Sequence, residues 1–269
     1  MAKKQFETPS LTIEELTAEL YLSKKDLKKA NDMLVEQEKN RTELFANLSH
    51  DLRSPITALR NSIDYIQTLD EYTKDELQPI FNLMQSRILT LEALINNLFL
   101  LTTLENTAIP FHYAPIGIGM FLEDFFFNCE ADKKYNNREL VLNVPMDMDA
   151  VLSIDTAQFT RVLDNLFSNA LKYSEDGATI TLNASQSESA VTICVSDTGI
   201  GMTAEQCEKV FNRSYMAAPA RTPSSKTGCG LGLSIVKTIV ERHGGTISCK
   251  SELGIGSSFI INLPYQRKD

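Results

Sequence analysis

Phe45-Ala46-Asn47-Leu48-Ser49-His50-Asp51-Leu52-Arg53-Ser54-Pro55 is the stretch on which the reading of this chain turns. It sits within a long helical pattern. Leu44, Leu48, Leu52, Leu59, Ile63 and Ile66 fall on one stripe at about 100° per residue. On that wheel His50 lies roughly 200° from Leu48, nearly opposite the stripe, with Ser54, Thr57 and Asn61 on the same polar side. The ordinary explanation of a histidine, a satisfied core residue, needs the apolar face, so His50 is predicted to face water. Pro55 should kink the helix just after it.

Upstream, residues 11–48 read as one helix without proline. Ile13, Leu20, Leu27, Leu34 and Leu48 keep a seven-residue spacing that Arg41 interrupts, the pattern of an imperfect coiled coil. A charged amphipathic helix packed on its own domain is the alternative. Downstream, residues 70–73 read as a turn and 74–105 as a second helix. There Leu77, Met84, Leu91 and Leu98 repeat every seven, with Phe81, Ile88 and Ile95 between them. Two long helices and a short turn make an antiparallel hairpin. One hairpin cannot bury two apolar stripes; two can, as a four-helix bundle, so a homodimer is expected.

Pro110, Pro115 and two glycines mark a linker near 106–118. Beyond it helical and strand patterns alternate: a helix over 120–135, strands at 140–144 and 151–154, and a helix to Tyr173 with Asp155 as its N-cap. Strands follow at 179–183, 191–195, 246–250 and 258–263, with a helix over 231–243 ended by Gly244-Gly245. This is an α/β sandwich with a mixed sheet and helices on one face. Residues 217–227 read as a loop.

Three segments there suit a nucleotide. Asn165, Asn169, Lys172 and Tyr173 share one helix face, at i, i+4, i+7 and i+8. Asparagine oxygens suit Mg²⁺, and a lysine one turn on neutralises phosphate. Asp197-Thr198-Gly199-Ile200-Gly201 follows a strand: the carboxylate can accept from an adenine amino group, and the glycines admit a flat base. Gly228-Cys229-Gly230-Leu231-Gly232 opens a helix, where backbone N–H groups can meet phosphate, although no Walker lysine follows. Taken singly, these also read as a polar helix face and two glycine turns.

Composition bounds the rest. The 269 residues carry a net charge of -9, with 43% hydrophobic and 23% charged residues, a globular balance that weighs against nucleic acid or an anionic membrane as the main partner. No stretch reads as a transmembrane helix, and Met1-Ala2-Lys3-Lys4 lacks the apolar core of a signal peptide. Five cysteines show no close pairing or metal spacing, as expected of reduced thiols.

In this order the segments resemble the histidine protein kinases of two-component signalling, from about Arg41 to Pro264. The His50 stretch is similar to the family's H-box, Asp164–Ser174 to its N-box, Asp197–Gly201 to its G1 box and Gly228–Val236 to its G2 box; Val210-Phe211-Asn212-Arg213-Ser214-Tyr215 is a loose F-box. The N, G1 and G2 boxes are shared with gyrase and heat-shock ATPases; the H-box narrows the choice. The resemblance implies a signalling coiled coil over 1–40, a dimerisation and phosphoacceptor domain over 41–107, a linker over 108–118 and an ATP-binding domain over 119–269. It implies that His50 attacks the γ-phosphate of ATP and that Asp51 orients the imidazole or takes its proton. Asn169 would hold Mg²⁺, Asn165 and Lys172 would serve the phosphates, Tyr173 would lie against the nucleotide, and Asp197 would read adenine beside Gly199 and Gly201. Gly228, Gly230 and Gly232 would form the hinge of a lid over roughly 203–229, and Leu231 among them would also belong to the nucleotide site.

The phosphoryl group would pass to an aspartate on a response regulator's receiver domain. An upstream sensor module would precede the chain if it is a fragment, and the chain would be cytoplasmic, or the cytoplasmic portion of a membrane-bound sensor kinase. Ser54 stands where the family commonly has a threonine or asparagine for phosphatase activity. Ser214 and Met216 depart from the family's aromatic and basic residues, leaving the lid's phosphate contact to Arg213, Arg221 or Lys226. His112 and His243 are expected to be structural or solvated. The rivals are a nucleotide-binding scaffold without catalysis and a gyrase-like or chaperone-like ATPase.

Overall fold

The computed structural model describes residues 13–69, 71–105, 110–212, 215 and 230–265. It divides the chain into two units, residues 1–47 and 48–269. Helix α1 (Ile13–Gln67) runs without a break through Pro55, so the two helical readings upstream and around His50 are one element. In the first unit three members of the seven-residue repeat, Leu20, Leu27 and Leu34, are exposed.

In the second unit α1 buries Leu48, Pro55 and Ser62, again seven residues apart. Helix α2 (Lys74–Glu105) starts and ends where the sequence places it. Thr73 caps it: its hydroxyl and backbone N–H both donate to Glu76 Oε2 at 2.9 Å, and the Glu76 N–H returns to Thr73 Oγ1. Those bonds hold the Glu76 carboxyl below its usual range. Leu77, Leu94, Leu101 and Leu104 are buried, and the helix packs against α6 (Gly232–Arg242), while Phe81, Ile88, Ile95 and Phe99 remain exposed. Contrary to the expectation that no stretch would pass, Lys74–Leu104 is long and apolar enough, by length and composition, to cross a membrane. The physical reason is that its apolar residues spread around the helix and few charges interrupt them.

The rest of this unit is the α/β layer. Strand β1 (Ala114–Gly117) pairs antiparallel with β3 (Val151–Ile154), so four residues read as linker belong to a strand. Pro115 is compatible with that because the ribbon has only two strands and so only edges. Strands β2 (Glu139–Asn143), β4 (Thr179–Gln186), β5 (Ala190–Asp197), β6 (Thr246–Glu252) and β7 (Gly256–Pro264) form a sheet ordered β2-β4-β5-β7-β6. Only β2–β4 is parallel, which makes the sheet mixed.

Alternation sets its faces. Ile180 and Leu182, Ile193 and Val195, and Ile261 and Leu263 are buried on one side, where α3 (Ile118–Ala131), α4 (Thr156–Lys172) and α6 contribute Leu122, Phe159, Leu163, Phe167, Ile235 and Ile239 to the same core. Each fully buried aliphatic or aromatic side chain contributes roughly 1.5–3 kcal/mol. A short helix not read from the sequence, α5 (Ala204–Lys209), carries a capping box of Thr203 and Gln206.

Two groups brace α4. At its start Asp155 caps Gln158 N–H as expected, and its other oxygen accepts from His112 N–H at 2.9 Å. His243 accepts the Asp155 N–H on Nε2 at 3.0 Å, which leaves Nδ1 to donate to Ile239 O at 2.8 Å. Its ring is enclosed by Phe111, Tyr113 and Phe159. Burial pushes the His243 pKa down. A group kept neutral in the fold takes up its proton when unfolded, so its burden on stability is absent above the ordinary histidine pKa of about 6.5 and grows as pH falls below it. The unfolding midpoint is therefore expected to drop between about pH 7.5 and pH 5.5, and less steeply in His243→Gln; equal slopes in thermal melts of the two proteins would contradict this. At the far end of α4, Arg138 donates to Ser174 Oγ, Ser174 O and Leu171 O and pairs with Asp176, fixing the backbone after Tyr173.

Candidate active site

Three segments far apart in sequence converge beside the end of α4. Asn165 and Asn169 lie on that helix, both half-buried, and Asn165 Nδ2 donates to Arg161 O at 2.8 Å. Its Oδ1 therefore points away from the helix backbone. A Cβ built on Gly232 would stand 2.7 Å from that oxygen, so the start of α6 lies close against the Asn165 side chain, which would have to turn aside for any larger residue. Leu231, the N-cap of α6, is 1% exposed, and Gly230 takes a left-handed φ of 64°.

Lys172 ends α4 and its ammonium sits 4.9 Å from the centre of the Tyr173 ring, a cation–π contact that leaves the charge at the rim of the site. The Tyr173 carbonyl accepts the Ile200 N–H at 3.0 Å, docking the turn after β5 onto the end of α4. Gly199 is required there: an added Cβ would lie 2.3 Å from that same carbonyl oxygen.

Asp197 closes β5. One carboxylate oxygen accepts the Gly199 N–H at 2.9 Å, and the Ser257 N–H also bonds the carboxylate. Burial raises its pKa, and those two amides work against burial. The result is a fixed, half-buried acceptor at a strand end, with the bare backbone of Gly199 and Gly256 passing beside it. Gly201, at a φ of 64°, passes so close to Glu252 O that a Cβ would sit 1.9 Å from it. The Met202 N–H donating to Ser251 Oγ at 2.7 Å ties the same loop to β6.

His50 stands outside this cluster. Its side chain is 82% exposed, as the wheel predicts, and Nδ1 lies 3.4 Å from Asp51 Oδ1. Ser54 is exposed one turn further along α1. Gly228, Cys229, Arg213, Ser214, Met216, Arg221, Lys226 and the loop read over 217–227 lie outside the described residues. The structure thus brings together Asn165, Lys172, Tyr173, Asp197, Gly199, Gly201 and Gly232.

Three supporting residues were not read from the sequence. Gly256, with a φ of 142°, lets β7 pass the Asp197 carbonyl, where a Cβ would be 1.9 Å away. Ser251 and Arg138 hold the two loops. Gly256 carried a local signal, a second glycine in a short turn between strands; Arg138 and Ser251 carried none.

Comparison with known proteins accords with this geometry. Residues 40–107 match the His Kinase A (phospho-acceptor) domain, and residues 154–267 match the Histidine kinase-, DNA gyrase B-, and HSP90-like ATPase family. The chain is 35% identical over 243 residues to sensor histidine kinase WalK of Bacillus subtilis, covering 87% of this chain and 39% of that protein. It is 33% identical over 226 residues to sensor protein SrrB of Staphylococcus aureus, covering 82% and 38% respectively. The chain thus spans about two fifths of the length of these relatives.

Two solved structures share the fold at 20% identity. Acinetobacter baumannii histidine kinase AdeS has a TM-score of 0.63, covering 81% of this chain and 98% of that one. Histidine kinase ThkA, in complex with response regulator protein TrrA, has a TM-score of 0.68, covering 91% and 66%. With a phosphoacceptor domain ahead of an ATPase domain of this type, the chain belongs to the two-component sensor histidine kinases, of which it carries the catalytic core.

Proposed function

We propose that this chain uses ATP to phosphorylate its own His50 and passes the phosphoryl group to an aspartate on a response regulator. One observation carries the reading: a solvent-facing imidazole in a phosphoacceptor domain shares a chain with a glycine-lined carboxylate pocket. An adenine amino group would donate to Asp197, and the bare backbone at Gly199 and Gly201 leaves room for the ring. Tyr173 and Lys172 stand where ribose and phosphates would leave that pocket. Asn165 faces Gly232 at the N-terminus of α6, and Gly230 and Leu231 lead into it, so both sides of this cleft present groups suited to phosphate. With Gly228 they would form the hinge of the lid.

The amide oxygen of Asn169 fits the hard, oxygen-preferring Mg²⁺, which when bound neutralises charge on the β- and γ-phosphates. The transfer itself asks for positioning. An Nδ1–H facing Asp51 leaves the Nε2 lone pair toward solvent, where it can form the N–P bond as the bond from the γ-phosphorus to the bridging oxygen breaks and ADP leaves. Asp51 orients the ring or takes its Nδ1 proton as the N–P bond forms. Ser54, one turn away, keeps a hydroxyl that could direct water in the reverse hydrolysis.

The uncovered faces of α1 and α2 support a homodimer. Phe81, Ile88, Ile95 and Phe99 would be covered by a second copy in a four-helix arrangement, and Leu20, Leu27 and Leu34 by the partner helix in the coiled coil of residues 1–40, through which an upstream sensor module acts. A receiver domain is the fitting acceptor: the ThkA structure holds a response regulator protein. The placement that fits this role is the cytoplasm, as a separate protein or as the cytoplasmic portion of a membrane-bound sensor kinase. Incubated with γ-labelled ATP and Mg²⁺, the chain should acquire protein-bound label that acid removes and alkali does not. Release of all the label as free phosphate would favour a gyrase-like ATPase, and binding without turnover a scaffold.

A further inference from the structure

Two of the cysteines, unremarkable in sequence, meet in the fold. Cys207 on α5 and Cys249 on β6 are 42 positions apart in the chain, yet their Sγ atoms lie 3.7 Å apart, with the Cys249 thiol donating to Cys207. Both are only partly buried. The other described thiols are engaged elsewhere: Cys129 is buried against Tyr135, and Cys194 lies 3.4 Å from Ser196 Oγ. Helix α5 packs on β6, and Cys249 stands in register with Phe259 of β7, whose ring meets Phe211 just after α5. The pair therefore joins the helix that follows the Asp197–Gly201 turn to the edge strand that braces that turn through Ser251.

A disulfide holds its sulfurs about 2.05 Å apart. Closing the gap takes a shift of less than ~2 Å, within reach of side-chain rotation and a small movement of a six-residue helix at the sheet edge. We propose that Cys207 and Cys249 form a reversible intramolecular disulfide, with hydroperoxides as the class of oxidant. The peroxide oxygen is transferred to one sulfur, giving a sulfenic acid and releasing water from hydrogen peroxide. The second sulfur attacks the first, the S–O bond breaks, and the hydroxyl leaves as water with the second thiol's proton. Two thiols are oxidised and one peroxide is reduced to two waters. Burial raises the pKa of the Cys249 thiol, and the neighbouring Cys207 sulfur raises it further.

Asp197 adds to the upward push on the Cys249 thiol, so the pair is electrostatically coupled to the carboxylate assigned to adenine. Any effect of the bridge on nucleotide affinity rests on that assignment. Formation of the bridge does not, and it is measured without nucleotide, so the two can fail separately.

The full chain is treated with hydrogen peroxide, denatured and its free thiols counted. The count should fall from five to three, since five less the two joined leaves three, and dithiothreitol should restore it. A digest should yield a linked peptide containing Cys207 and Cys249. The bridge closes a loop of 42 positions, so the oxidised protein should melt roughly 5–10 °C higher. Cys129→Ser should still lose two thiols, and Cys207→Ser none. A count that stays at five, a linked peptide joining any other pair, or sulfinic acid on one cysteine with the other still free would overturn the proposal. The linked peptide is sought in the unmodified sequence, so a variant that fails to fold does not affect it.

Discussion

Replacing His50 with glutamine should remove acid-labile labelling from γ-labelled ATP to below detection while leaving nucleotide affinity within about twofold of the parent. Both halves of this expectation come from geometry. The imidazole is 82% exposed, and its hydrogen-bond partner is the adjacent Asp51 at 3.4 Å, so its loss leaves no buried group unpaired. Surface substitutions of that kind usually cost no more than about 0.5 kcal/mol. The fold, the Asp197 pocket and the start of α6 should be untouched, as a fluorescent ATP analogue and a thermal melt would report. The chemistry should nonetheless stop, because glutamine offers an amide whose nitrogen lone pair is delocalised and cannot attack phosphorus. Label that persists on the variant would move the phosphoacceptor elsewhere. Loss of nucleotide affinity together with label would mean that His50 supports the fold of the pocket, which its exposure argues against.

What could be read in the sequence follows how local each cause is. The long helices were legible because their periodicity is repeated many times, and α2 begins at Lys74 because Thr73 and Glu76 form a cap within four residues. The exposure of His50 followed from the same wheel. Asn165, Lys172 and Tyr173 could be placed on one helix face, but their meeting with Gly199 and Gly232 depends on how strands and helices stack. Strand β1 was hidden by Pro115 and Gly117, which are turn signals anywhere except on an edge. The cysteine pair was invisible for a similar reason: spacing along the chain says nothing of 3.7 Å between sulfurs brought together by α5 and β6. His243, at a helix end, reads in sequence as structural or solvated, and its acceptance of the Asp155 N–H depends on the approach of α4 and α6. Arg138 carries no motif; its partners are carbonyls at the end of α4.

Gly256→Ala should lower stability by about 3–5 kcal/mol and weaken nucleotide binding more than tenfold, although the residue touches no proposed ligand. Its φ of 142° is strained for any residue with a side chain, and a Cβ there would lie 1.9 Å from Asp197 O and 3.0 Å from Thr198 Cα. Backbone cannot rotate aside as a flexible side chain would, so β5 and β7 must separate at the point where Ser257 N–H bonds the Asp197 carboxylate. The Ser251 hydroxyl, which donates to Gly256 O at 2.7 Å and accepts from Met202 N–H, would be displaced with it. One change thus loosens both supports of the proposed adenine pocket. Gly254→Ala is the matched comparison: it sits two residues away with a φ of 80°, but a Cβ there meets nothing within 4 Å. It should cost only the left-handed strain, roughly 1–2 kcal/mol, and leave affinity unchanged. Denaturant midpoints and titrations with a fluorescent adenine nucleotide measure the two quantities side by side. If the variants prove equally stable and bind equally well, the close passage of β7 past Asp197 is not what shapes the pocket. If Gly256→Ala alone loses both, the carboxylate is held in place by the absence of a single methyl group.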